Sequence, residues 1–237
     1  METTERVREV LDFRVVPPRY LVIANLPKNS APLAVQAEQA GVDAVMLNIE
    51  GEEGGYPGHF GSYELHEANI NDVVSVLAIP CGIFIGGAKP PTPKYWESIV
   101  SKEFSFVDMY AHQMPLFAQT DKRVRKILAI SSGYILEQVR ALSEMDGTDA
   151  IEVAIVPPKA RGDPLTALDF ATLKLITELS TKPILLRAQK KIVPLEISSV
   201  IDLGVRGLVI DPCILSGAEE AYRDEIAGFQ RRREVAE

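Results

Sequence analysis

Eight short apolar runs recur along the chain, and almost every one is followed by a segment of helical period. They span residues 20–25, 43–49, 79–85, 104–111, 124–131, 149–156, 183–188 and 206–210. Strands that alternate with helices through a whole chain imply parallel βαβ units. Eight such units in 237 residues predict a single α/β domain, a closed (β/α)8 barrel. In that architecture chemistry is built at the C-terminal ends of the strands and in the loops after them, whereas the fold does not dictate which chemistry.

The segment 1–16 reads as an extra N-terminal helix capped by Thr3 or Thr4 and stopped by Pro17-Pro18. Ser30 is the predicted N-cap of the helix APLAVQAEQA, which Gly41 closes. Further helices are expected over ANINDVVSVLA, KYWESIVSKE, YILEQVRALSEM, PLTALDFATLKLITELS, PLEISSVIDLG and GAEEAYRDEIAGFQRRREV. The unit after the fourth strand, HQMPLFAQTDK, has room for only one or two turns. The loop GEEGGYPGHFGSYEL carries five glycines among aromatic residues and reads as a lid over the site.

A formal charge of −8 argues against nucleic-acid or anionic-membrane partners. No apolar stretch approaches the roughly 20 residues that span a bilayer. The charged N-terminus lacks a signal-peptide core, so a cytoplasmic location is expected. Cys81 and Cys213 have neither metal-knuckle nor disulfide spacing. The last helix mixes apolar and charged surface, which is compatible with a homo-oligomer.

Period two sorts each strand into a face toward the helices and a face toward the barrel axis. A polar residue near the C-terminal end of a strand is therefore expected to point inward. This places Asn25 on the first strand, Asn48 and Glu50 on the second, and Asp108, Tyr110 and His112 on the fourth. Glu152, Arg187 and Asp211 follow on the sixth, seventh and eighth. Asp108, His112, Glu152 and Glu50 are the acid–base candidates, since proton transfer at carbon needs a positioned carboxylate or imidazole. Glu152 and Arg187 on neighbouring strands equally describe a buried structural ion pair. His66 reads as solvated and Lys126 as lying at the stability end of the barrel.

Basic residues gather in the loops on the same face: Lys28, Lys89, Lys94, Lys159, Arg161, Lys190 and Lys191. With Arg187 they predict a small anionic substrate, phosphorylated or carboxylated. Arg187, Lys190 and the start of the last helix at Ser216-Gly217 would orient the anion, with Asn25, Lys28, Asn48, Tyr110 and Asp211 as further substrate contacts. Glu50, Asp108, His112, Glu152 and Asp211 also offer ligands for a divalent metal, although no compact metal motif occurs. The expected activity is that of a lyase, aldolase or isomerase, with no cofactor or a metal; the alternatives are an FMN-dependent oxidoreductase and a non-catalytic barrel that binds a ligand or partner.

The flavin alternative comes from residues 40–87. The stretch AGVDAVMLNIEGEEGGYPGHFGS followed by VVSVLAIPCGIFIGG resembles part of the flavin-dependent nitronate monooxygenase and enoyl-reductase group. The resemblance implies FMN contacts near Gly54, Gly55, Gly86 and Gly87, with Tyr56 at the position of the family's catalytic histidine.

Overall fold

The computed structural model describes residues 20–51, 60–87 and 89–235. The strands are β1 (Leu21–Asn25), β2 (Ala44–Ile49), β3 (Cys81–Ile85), β4 (Phe106–Tyr110), β5 (Arg125–Ile130), β6 (Ala150–Val153), β7 (Ile184–Ala188) and β8 (Val205–Ile210). They pair in chain order, all parallel, and β8 closes on β1. The predicted (β/α)8 barrel is therefore present, with each strand inside its sequence-predicted run or within a residue of it.

The helices are α1 (Ala31–Gln39), α2 (Tyr63–Val76), α3 (Pro93–Val100), α4 (Leu116–Gln119), α5 (Leu136–Glu144), α6 (Ala167–Leu179), α7 (Pro194–Asp202) and α8 (Glu219–Val235). The fourth is a single turn, as the short spacing there requires. Gly41 closes the chain after α1 with φ +90°, but the Ser30 hydroxyl makes no capping bond. Helix α2 starts five residues before the apolar period begins, because Tyr63 is buried and its amide donates to the Tyr95 hydroxyl at 2.9 Å. The expected N-terminal helix, with Thr3 and Thr4, lies outside the described residues. So does most of the predicted lid, including Gly54, Gly55, Tyr56 and His59.

Two apolar layers hold the barrel. The outer one lies between strands and helices and takes one face of every strand, for example Val45, Leu47 and Ile49 of β2. The inner plug consists of Ile23, Ala44, Met46, Phe84, Phe106, Ile127, Ala150, Leu185 and Val209. Large and small residues interdigitate there: a Cβ on Gly82 would come within 2.2 Å of the Phe106 ring. The plug fills the lower and middle barrel, so the next inward layer, at the C-terminal ends of the strands, is where polar groups sit.

Candidate functional site

The inward polar layer forms around Arg187, one residue before the end of β7 and 1% exposed. Its Nε lies 2.7 Å from Glu152 Oε1, a charge contact without hydrogen-bond alignment, and its Nη2 donates to Glu152 Oε2 at 3.3 Å. Asp108 Oδ2 is 3.7 Å from Nη2 and Asp211 Oδ2 is 3.9 Å from Nη1. The guanidinium also lies over the Phe84 ring, 4.7 Å from its centroid. Strands β4, β6, β7 and β8 thus deliver three carboxyls to one cation, as the alternation of their sequences implies.

These carboxyls are not equivalent. Asp211 Oδ1 accepts the Cys213 amide at 2.9 Å and caps the 3-10 turn Pro212–Ile214. Glu152 has the close approach to Arg187. Both oxygens of Asp108 are buried without a hydrogen-bond partner. Burial, then the neighbouring Glu152 charge, push the Asp108 carboxyl well above the usual carboxylate range, and Arg187 offsets them only in part. Asp108 is therefore the carboxyl of the cluster whose surroundings most favour the protonated form.

An aromatic ladder leads from this layer to the surface. Tyr110 meets Phe84 edge-on at 5.8 Å and stacks on His112 at 5.6 Å. Burial raises the Tyr110 phenol, and the charges of Arg187 and Arg161 oppose that shift. Arg161, in the loop after β6, acts on the Cys213 thiol in the same sense, although burial and Asp211 carry that thiol up to about 12. Arg161 therefore lies within electrostatic reach of both groups. Beside it, Gln189 is 1% exposed, its Oε1 accepts the Val156 amide, and its Nε2 has no partner. Sequence reading placed Arg161 only among rim cations and missed Gln189, which carries no local signal beyond its position just past β7.

Several predicted contacts are engaged elsewhere. Asn48 Nδ2 donates to Asn25 Oδ1 at 2.7 Å and to the Leu26 carbonyl at 2.9 Å, while the Asn29 side chain brackets the Asn48 backbone. This buried asparagine network ties β1 to β2. Glu50 leaves the inward face because its φ is +56°, which ends the strand alternation; its Oε1 accepts the Tyr95 hydroxyl at 2.9 Å. Lys28 pairs with Glu219 at the surface, and Lys190 pairs with Asp169 at 2.7 Å. Burial opposes ionisation of Asp169, but hydrogen bonds from Lys190 and Thr166 outweigh it and hold the carboxyl below its usual range. The Ser216 amide donates to Glu225, and α8 begins with Glu219 and Glu220, so its own acids occupy the expected anion site. His66 is part-buried rather than solvated, with Nε2 accepting the Gly61 amide at 3.0 Å.

Neither a metal nor FMN finds a fitting set of side chains among the described residues. Among the described residues no group of three His, Cys, Asp or Glu side chains is placed to hold a metal ion. The space beside Gly86 and Gly87 is filled by the chain at Glu50: a Cβ on either would lie 3.2 Å from Glu50 atoms. Those glycines admit the neighbouring loop rather than cradle a flavin phosphate. A cavity of about 480 Å³ lies between the β1–α1 loop and α2, lined by Lys28, Asn29, Ser30, Phe60, His66 and Asn69 among others, away from the Arg187 cluster. No helix among the described residues is long and apolar enough to cross a membrane.

No protein-family model matches the chain, and no curated protein matches it. Solved structures do. Thiamine phosphate pyrophosphorylase from Pyrococcus furiosus superimposes with a TM-score of 0.63 at 14% identity, over 92% of this chain and 96% of that one. Tryptophan synthase from Mycobacterium tuberculosis gives 0.64 at 11% identity, over 99% and 96%. Phosphoribosyl anthranilate isomerase from Thermus thermophilus gives 0.64 at 14% identity, over 91% and 99%. None of these three lends support to the flavin-family resemblance of residues 40–87. What they share with this chain is the TIM-barrel fold.

Proposed function

We propose that this chain is an enzyme of the lyase, aldolase or isomerase type that moves a proton at carbon in a small phosphorylated or carboxylated metabolite. The observation that carries the reading is the Asp108–Glu152–Arg187 cluster beneath the barrel mouth. Asp108, whose carboxyl is pushed by burial well above the usual range, stands there beside Glu152, which pairs with the Arg187 guanidinium, and two carboxyls in different surroundings are how one site supplies both an acid and a base. Asp108 donates a proton to the substrate oxygen or carbon, and Glu152 accepts one. The low-dielectric floor strengthens both interactions.

Arg161 and Gln189 above the cluster recognise the anionic end of the substrate, leaving its carbonyl or hydroxyl end toward Asp108. Two of the structurally similar enzymes have phosphate-bearing compounds in their names, which favours phosphate over carboxylate as the anion. The test is carbon–hydrogen exchange in D2O, followed by proton NMR, across a panel of sugar phosphates, phosphorylated keto acids and dicarboxylates. One or more compounds should incorporate deuterium, and Glu152→Gln should slow the exchange by about 10²–10⁴-fold with the fold intact. Exchange at the wild-type rate in Glu152→Gln would leave the cluster as a structural ion pair.

A further inference from the structure

We propose that Tyr134, in the loop after β5, is a positioning residue that fixes His112 in the tautomer bearing hydrogen on Nε2. His112 thereby presents an N–H donor to an acceptor oxygen of the substrate. The geometry is a two-point clamp. The Tyr134 hydroxyl lies 2.8 Å from the His112 backbone nitrogen and 2.8 Å from His112 Nδ1. The backbone N–H can only donate, so the phenol oxygen accepts there. The phenol O–H still needs an acceptor, and His112 Nδ1 at 2.8 Å is the one in reach among the described residues, so the bond is taken as O–H donating to Nδ1.

With Nδ1 as acceptor, the neutral ring carries its hydrogen on Nε2. That nitrogen has no partner among the described residues. The ring cannot turn away freely, because it stacks on Tyr110 with a 28° interplanar angle and meets Tyr134 at 6.1 Å. Burial keeps the Tyr134 phenol in its protonated, donating form. A donor at this place recognises a carbonyl, carboxylate or phosphoryl oxygen, not a hydroxyl hydrogen. Sequence reading took His112 as an acid–base candidate; the clamp instead makes it a hydrogen-bond donor, comparable to one member of an oxyanion hole.

His66 supplies an internal control. Its Nε2 accepts the Gly61 amide, so its neutral form carries hydrogen on Nδ1, the opposite tautomer. The chain has three histidines, which makes a long-range proton–nitrogen NMR spectrum of the 15N-labelled protein readily assignable with one His112→Gln variant. At a pH where the imidazoles are neutral, His112 should show a protonated Nε2 and an unprotonated Nδ1, and His66 the reverse. Tyr134→Phe keeps the ring and removes the clamp; its His112 signals should move toward a tautomer mixture. A wild-type His112 protonated on Nδ1 would overturn the proposal, as would a tautomer unchanged in Tyr134→Phe. If that variant does not fold, the wild-type spectrum decides alone.

Only the identity of the substrate oxygen rests on the proposed function, and exchange kinetics separate the two. Tyr134→Phe should lower the exchange rate roughly tenfold, the worth of one hydrogen bond. His112→Ala should lower it about 10²-fold. His112→Gln, whose amide nitrogen overlays Nε2, should recover much of that loss, whereas equal losses in the two variants would mean that His112 acts as a base. The expected tautomers with no exchange in any compound would remove the proposed function and leave the clamp standing.

Discussion

At the N-terminal end of the barrel, Lys126 is buried and its ammonium group donates to the carbonyls of Asp121 and Val124. At the C-terminal end Arg187 is equally buried, but among three carboxyls, one of which accepts no hydrogen bond. The contrast extends outward. Below, the acids that precede strands are used up on backbone: Asp43 accepts the Val22 amide and Asp149 the Lys126 amide, each at 2.8 Å. Asp121 takes the Trp96 indole at 2.9 Å, and Arg123 grips Glu97 through two bonds of 2.8 Å. Above, donors and acceptors such as Gln189 Nε2 and the Asp108 carboxyl oxygens stay unmatched. A buried polar group without a partner costs about 1–3 kcal/mol. Several such groups gather at the end where the fold builds its sites, while the other end leaves Gln119 Oε1 unpartnered but spends the acids named above on backbone and side-chain donors, as expected of a surface whose task is to hold the barrel shut.

The largest expected effect follows from removing the cation at the upper end. Arg187→Met leaves three carboxyls facing one another without compensation, and breaking a buried pair by deleting one partner costs about 3–5 kcal/mol. Urea unfolding at neutral pH measures it. A loss under about 1 kcal/mol would mean that water or another cation already screens the cluster, and that the upper end is less enclosed than Arg187 at 1% exposure implies. Lys126→Met tests the lower end. It orphans two carbonyls but also relieves the burial that lowers the Lys126 pKa, a penalty that Asp149 and Asp121 only partly offset. The expected loss is about 1–3 kcal/mol, with deuterium exchange unaltered. A drop in exchange at equal foldedness would erase the distinction between the two ends.

How far the site is legible in sequence depends on where each residue's partner comes from. Asp108, Glu152, Arg187 and Asp211 could be placed on the axis because strand alternation is a local rule and each lies within its own run or, for Asp211, just beyond it. Glu50 obeys the same alternation on paper but leaves it, since a positive φ turns the chain before the side chain can point inward. Lys28, Lys190 and Ser216 read as anion contacts only while their partners are unknown. Glu219 lies 191 residues from Lys28, and Asp169 reaches Lys190 from the start of α6. Tyr134 was invisible for the same reason: its clamp on His112 spans 22 residues between two loops. Periodicity reports which face a residue occupies, and only the closed barrel reports what shares that face.

The smallest effect is a slope rather than a loss, and it isolates Asp108 within the upper cluster. Its carboxyl holds its proton more tightly in the folded chain than in the unfolded one, because burial and Glu152 outweigh Arg187. For an acid whose folded pKa is raised, the stabilisation is complete below the unfolded value, near 4, and is lost as pH rises toward the folded value. Wild-type stability should therefore fall across that window by at most about 1.4 kcal/mol per pH unit, the limit for one proton. Asp108→Asn keeps the shape of the protonated acid and cannot ionise, so it should lack this component of the slope. The difference between the two proteins, read from urea midpoints at several pH values, should then widen as pH increases. Parallel curves would show that Asp108 ionises alike in both states. Asp108 would then have no proton to donate at neutral pH.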